Sequence, residues 1–215
     1  MRTPLKINEI FFSIQGESLL AGKPTVFVRT TGCNLRCTWC DTKYAYYEGS
    51  EMEIGAILGE VKKHGARYVC VTGGEPLAQP GTVDLMKMLV ERGYVVSLET
   101  SGSISVKEVP FGVIKIIDIK CPDSGESAAV LWENCDFTGP EDQFKFVVAS
   151  RADFGWAERV CAERGLAPKC TVLYSPVYGR VKPADLARWI LDSKSDVTMQ
   201  LQLHKEIWGG AARGV

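Results

Sequence analysis

Three cysteines, Cys33, Cys37 and Cys40, fall within eight residues of "TTGCNLRCTWCDT" (30–42). Soft thiolates at that density suit a metal ion or an iron–sulfur cluster. A structural zinc site takes four protein ligands, commonly as two knuckles, and no second knuckle exists here; Cys121 or His204 would have to supply the fourth ligand. A [4Fe–4S] cluster normally takes one thiolate per iron, so three thiolates leave one iron open, and an open metal position is where chemistry occurs. Downstream, "GGEP" (73–76) sets two glycines beside Glu75. Glycines let backbone approach a ligand closely, and Glu75 can accept from an ammonium, although the tetrapeptide alone also fits a turn. It is not a Walker A loop, which ends in Gly-Lys-Ser/Thr. Arg29 stands in an apolar run four residues before Cys33, and a buried guanidinium needs a partner.

The elements that must position these residues alternate. Apolar runs at 25–32, 67–74, 94–100, 113–120, 143–150 and 170–176 fit strands, and the alternating "VTMQLQLHK" (197–205) fits a last one ending near His204. Between them, 53–65 repeats Ile54, Ile57, Leu58 and Val61 at helical spacing, 81–93 repeats Val83, Met86, Leu89 and Val90, and 151–164 and 183–193 also fit helices, the last with Pro183 in its first turn. Strand–helix alternation with near-continuously apolar strands argues for a parallel sheet covered on both faces. Only about a dozen residues, with Gly102, Pro110 and Gly112, separate 94–100 from 113–120, too few for a full crossover helix. The expected fold is therefore α/β, an incomplete, irregular (β/α)6-type partial TIM barrel. The cysteines, "TGGEP", "ETSG", "DIKCP", "YSP" and "LHK" all fall at strand C-terminal ends, where parallel barrels collect their functional groups.

Composition narrows the class. The chain has 215 residues, 46% hydrophobic and 24% charged, enough for one domain with a real core. A net charge of −1 gives no global field for a nucleic-acid backbone or a membrane surface. No secretory leader and no run of about 18 apolar residues is present, so a cytoplasmic location is expected. Eight cysteines without a leader do not argue for disulfides; Cys70, Cys135, Cys161 and Cys170 fit isolated thiols.

Cys-x3-Cys-x-aromatic-Cys, with Trp39 as the aromatic, resembles the signature of the radical S-adenosylmethionine (SAM) enzymes. The resemblance implies a [4Fe–4S] cluster on Cys33, Cys37 and Cys40. Its open iron would bind the amino and carboxylate groups of SAM, and an electron from it would split the sulfonium to a 5′-deoxyadenosyl radical. "GGEP" resembles that family's second motif, which implies that Gly73, Gly74 and Glu75 meet the SAM amino group.

The resemblance narrows further along nearly the whole chain. "FFSIQGESLLAGKPTVFVRTTGCNLRCTWCDT", "VTGGEP", "LETSG", "DIKCP", "DQFKFVV", "YSPV" and "QLQLHKEIWG" are similar to 7-carboxy-7-deazaguanine synthases. That implies conversion of 6-carboxy-5,6,7,8-tetrahydropterin to 7-carboxy-7-deazaguanine with loss of ammonia, in the pathway to queuosine and other 7-deazapurines. SAM would be regenerated and Mg²⁺ would assist.

Residue by residue, Thr42 would place its hydroxyl on Mg²⁺, and Asp41 is a second candidate there or a contact to SAM beside Trp39. Ile14, Gln15 and Gly16 would read the pterin edge, with Glu17 accepting from its guanidine-like end; the family pattern often has glycine next, where this chain has Ser18. Arg29 would grip the substrate carboxylate with two parallel hydrogen bonds, a structural salt bridge being the alternative. Thr72, His204 and the carboxylate of Val215 would face substrate. Ser101, supported by Glu99, would contact SAM, and Lys120 with Gln143 or Lys145 would border it, unless these are rim charges.

The single domain 1–215 would then comprise a substrate-binding segment 8–24, a barrel core 25–205 and a tail 206–215 closing the site. A homodimer and a flavodoxin or ferredoxin donor are implied, with no nucleic acid and no membrane. A glycyl-radical activase shares the cysteine spacing, and a non-enzymatic iron–sulfur or zinc carrier is the remaining alternative. The "IQGES" start, "DIKCP" and the "LHKEIW" ending argue against the activase, and a carrier would not need "GGEP" or an interior Arg29.

Overall fold

Alternate residues of each central strand enter different environments, and this alternation builds the site. In the computed structural model, which describes residues 3–210 and 213–215, Val26 and Val28 of β2 (Pro24–Thr30) are fully buried, as are Val69 and Val71 of β4 (Tyr68–Gly73) and Val96 and Leu98 of β5 (Val95–Thr100). They pack against Ile57 and Val61 of α1 (Ile54–Lys63) and Leu85 and Leu89 of α2 (Gly81–Glu91). Ile117 and Ile119 of β6 (Val113–Ile119), Phe144 and Phe146 of β7 (Gln143–Val148) and Val172 and Tyr174 of β8 (Thr171–Pro176) form a second core. It is closed by Phe154 of α3 (Arg151–Arg164) and Leu186 of α4 (Pro183–Ser193). The period of two sends the intervening residues, Arg29, Thr72, Glu99, Asp118 and Lys145, to the opposite face. The inner face of the sheet thus carries charged and polar residues among apolar ones such as Phe27, Ile116 and Val147.

The sheet order is β3-β1-β2-β4-β5-β6-β7-β8-β9, with β1 (Leu5–Ile14), β3 (Ser50–Met52) and β9 (Thr198–Met199) completing it. From β2 to β9 every pairing is parallel. No α-helix lies between β5 and β6, and short 3-10 turns (Pro122–Ser124, Ser127–Ala129, Trp132–Phe137) replace one between β6 and β7. The sheet stays open at β3 and β9, an irregular partial barrel as expected.

Two expectations are corrected. The sheet is mixed, because β1 pairs antiparallel with both β2 and β3. Residues 8–14 therefore belong to the sheet, and the loop after them is closed by Gln15 N–H to Lys23 O (2.9 Å). The stretch 197–205 is not one strand: β9 is two residues long, and Leu203–Trp208 forms a short helix, α5, with His204 in its first turn. Gln200 N–H still reaches Tyr174 O of β8 (2.8 Å), and beyond it the chain bonds to the 15–18 loop. Gln200 accepts from Ser18 N–H (2.6 Å) and donates to Ser18 O (2.7 Å), and Leu203 N–H donates to Gly16 O (2.9 Å). Ser18 itself has φ +65°, the left-handed region that favours glycine, at a cost of about 1 kcal/mol. That accounts physically for glycine in the family pattern, and the Gln200 clamp offsets the cost here. Of the tail 206–215, residues 211 and 212 lie outside the described residues, as do 1 and 2 of the domain.

Candidate active site

The loop after β2 is held from several sides. Gly32 N–H donates to Ala45 O (2.8 Å), Glu75 N–H to Gly32 O (2.8 Å), Arg36 N–H to Glu126 Oε1 (2.6 Å) and Thr38 N–H to Ser124 O (3.0 Å). Leu35 is buried beneath it. These anchors direct Cys33, Cys37 and Cys40, all free and half-buried, to one cavity of about 650 Å³ at the strand C-terminal ends. Burial pushes the Cys33 thiol up and the Cys37 thiol up to about 11, so any metal these thiolates bound would displace protons. Among the described residues no three His, Cys, Asp or Glu groups converge on a single-ion site, and Cys121, the candidate fourth zinc ligand, is buried off the cavity wall. One thiolate per iron makes no such demand for convergence, so the donor set fits a cluster.

The two glycines of "GGEP" have a packing reason. Gly73 has φ +149°, and a Cβ on it would collide with Thr30; a Cβ on Gly74 would collide with Gly32 and come within 2.8 Å of Cys33 Cβ. They allow β4 to pass directly behind the cysteine loop. Glu75 is fully buried and does not line the cavity. Its carboxylate accepts from Leu77 N–H, Thr100 Oγ1, Ser101 N–H and Ser101 Oγ. Gln143 is likewise off the wall, where its Oε1 accepts from Leu19 N–H (2.9 Å). These two predicted contacts support loops, whereas Gly73, Gly74, Ser101, Glu99, Lys120 and Lys145 border the cavity.

The opposite wall holds buried charge. Lys145 Nζ is ion-paired with Glu17 Oε2 and with Asp118 Oδ2 (3.2 Å), and Lys120 Nζ with Asp118 Oδ2 (3.0 Å). Burial alone would lower the Lys145 amine, but Asp118 and Glu17 outweigh it and hold it well above its usual value. Burial alone would raise Glu17, but Lys145, His204 and Gln202 keep it low. Asp118 Oδ1 is buried on this wall with no hydrogen-bond partner, an acceptor suited to a bound ligand.

Arg29 Nε donates to Glu9 Oε1 (2.7 Å), so the structural salt bridge exists. Yet Arg29 also lines the cavity, and among the described residues its two terminal nitrogens form no hydrogen bond. Thr72 Oγ1 donates to Glu99 Oε2 (3.1 Å), and Gln15 Nε2 to Glu99 Oε1 (3.3 Å); Glu99 supports these two rather than Ser101. Ile14, Gly16, Trp39, Asp41, Thr42, His204 and Val215 also border the cavity. Trp39 lies under Arg180, 5.3 Å from the ring centroid. A Cβ on Gly16 would collide with the His204 ring, so that glycine seats the histidine.

The sequence did not single out Asp118, Glu9, Gln202, Lys205 or Tyr44, which borders the cavity and donates its hydroxyl to Glu9 Oε1 (2.9 Å). Asp118, an acid two residues before Lys120 in an apolar strand, carried a signal; Gln202 and Lys205 were masked by the strand assignment.

An open, mostly parallel sheet with three free cysteines beyond its first parallel strand defines a radical SAM protein, and residues 27–110 match the model of the Radical SAM superfamily. The chain is 48% identical over 219 residues to the 7-carboxy-7-deazaguanine synthase of Chlorobaculum tepidum, covering 99% of this chain and 98% of the relative. It is 42% identical over 226 residues to that of Koribacter versatilis, covering 98% and 100%. The chain belongs to the 7-carboxy-7-deazaguanine synthase family and is an enzyme of that type. Its fold also matches the crystal structure of QueE from Escherichia coli, with a TM-score of 0.76, 22% identity, and 94% and 95% of the two chains covered.

Proposed function

We propose that this enzyme converts 6-carboxy-5,6,7,8-tetrahydropterin to 7-carboxy-7-deazaguanine with loss of ammonia, as a carbon–nitrogen lyase of 7-deazapurine (queuosine) biosynthesis. SAM is used catalytically and Mg²⁺ assists. The observation that supports this best is the shared cavity: the three cysteines and the polar residues Gln15, Glu17, Arg29, Thr72 and His204 border one space, of the size ligand pockets take.

Cys33, Cys37 and Cys40 would hold the cluster. With SAM, the cluster supplies hydrogen-atom abstraction, and the protein binds, orients and shields. The backbone at Gly73–Gly74, Ser101, Lys120 and the unpartnered Asp118 oxygen offer SAM its polar contacts. The terminal nitrogens of Arg29 offer a carboxylate two donors, and Glu17, kept ionised by Lys145, offers an acceptor to ring N–H groups. Thr42 Oγ1 donates to Asp41 Oδ1 (2.9 Å) at the cavity edge, so two oxygens of the kind a hard cation takes stand together. Gly209, Gly210 and Val215 border the cavity from the tail and restrict access of water.

Family resemblance also supports a homodimer, a flavodoxin or ferredoxin donor, and a cytoplasmic site of action. Among the described residues no helix is long and apolar enough to cross a membrane.

The test is anaerobic turnover of reconstituted enzyme with SAM, reductant, Mg²⁺ and the carboxypterin, followed by mass spectrometry. Carboxy-deazaguanine in excess of SAM consumed is the expected result. Cleavage of SAM to 5′-deoxyadenosine without that product would overturn the substrate assignment and favour a glycyl-radical activase.

A further inference from the structure

The helix α5 (Leu203–Trp208) has no buried residue, and Ile207 and Trp208 are half exposed. Apolar burial therefore does not hold it in place, although it carries His204 at the cavity. Lys205 lies on its inward side, the side chain only 11% exposed. Its Nζ pairs with Asp41 Oδ2 (2.5 Å) and donates to Gln202 Oε1 (2.7 Å), with the Tyr178 ring 5.9 Å away.

These contacts belong to a continuous path. Asp41 turns its other oxygen to Thr42 Oγ1 (2.9 Å). Gln202 turns its amide nitrogen to Glu17 Oε1 (2.7 Å), and Glu17 turns its second oxygen to Lys145, which reaches Asp118. Asp41, Gln202 and Glu17 each use both ends of the side chain on different partners, so a shift at one end is transmitted to the other. The path begins beside the cysteines, crosses α5, and ends on the buried charges of β6 and β7.

We propose that Lys205 is a positioning residue that ties the substrate-facing Glu17 and His204 to the loop bearing Asp41 and Thr42, so that both ends of the cavity are set together. The inference rests on the cavity assignments of the proposed function, with Glu17 at the substrate end and Thr42 at the metal end. Lys205 reaches both segments by its own length, and removing its charge takes away the ion pair of Asp41.

The test uses reconstituted enzyme carrying Lys205→Met, with Lys205→Arg as the conservative variant and Lys205→Gln if the methionine lowers the yield of folded protein. Hydrogen–deuterium exchange is read without substrate, and the KM for the carboxypterin with it. Loss of a charge-assisted contact predicts exchange about tenfold faster in both 203–208 and 41–46, with iron content unchanged. It also predicts a KM raised about tenfold with kcat changed less, and substantial recovery with arginine. Faster exchange confined to 203–208, or an unchanged KM, would overturn the proposal and leave Lys205 as a local anchor of α5. If the parent enzyme does not turn over the carboxypterin, the proposed function fails, while the exchange comparison still decides for or against the coupling.

Discussion

Ser101 donates both its backbone N–H (2.8 Å) and its hydroxyl (2.6 Å) to the same oxygen of Glu75, Oε2. With Thr100 and Leu77 also donating, the carboxylate ties the end of β5 to the turn after β4, with no exposed face. Glu75→Ala is expected to destabilise the metal-free chain by roughly 3 kcal/mol, since it orphans several buried donors. Urea unfolding checks this. Unchanged stability, with only SAM binding lost, would assign Glu75 to the ligand instead.

Cys33→Ala, Cys37→Ala and Cys40→Ala are each expected to abolish normal cluster uptake, measured as iron and sulfide per chain and by the visible absorption band. Cys121→Ala, off the cavity wall, should take up iron normally. A normal cluster in any of the first three variants, or loss of iron in the fourth, would change the ligand assignment.

The seat of His204 on Gly16 is sharply size-limited. In Gly16→Ala the new methyl meets the His204 ring and the backbone nitrogen of His204. Overpacking of this kind costs about 1–3 kcal/mol, and the ready release is displacement of α5. A KM for the carboxypterin raised roughly tenfold, with far-ultraviolet circular dichroism unchanged, is the expected outcome of steady-state measurement.

The pH dependence of stability has a defined sign. Glu17 is held below its usual 4.5 in the folded chain: burial opposes this, and Lys145, His204 and Gln202 outweigh burial. Its contribution is therefore complete above about 4.5, where both folded and unfolded chains are ionised, and is lost as pH falls through the lowered folded value. The stability difference between parent and Glu17→Gln, from urea unfolding of the metal-free chains, is followed from about pH 5 to about pH 3. It should shrink below about 4.5; a difference that grows on acidification would contradict the assigned direction.

The sequence by itself determined the parallel core and the chemistry of one wall. Apolar runs and helical spacing located β2, β4 to β8 and α1 to α4, because each buries a face against a neighbour and so needs a periodic pattern. Cys-x3-Cys-x2-Cys was legible because cluster ligation requires particular atoms at short separation. β1 was not legible: its pairing with β2 and β3 is fixed by partners distant in sequence. "VTMQLQLHK" has strand periodicity, yet its backbone bonds to β8 end at Gln200 N–H to Tyr174 O, and Leu203 N–H bonds to Gly16 O instead. Only the tertiary structure decided which polar residues face the cavity. Glu75 and Gln143 turned into the protein to satisfy buried backbone and hydroxyl groups, and Lys205 turned inward to meet Asp41. The reason is that a side chain's partners are set by hydrogen bonds and charges that meet only once the strands are assembled.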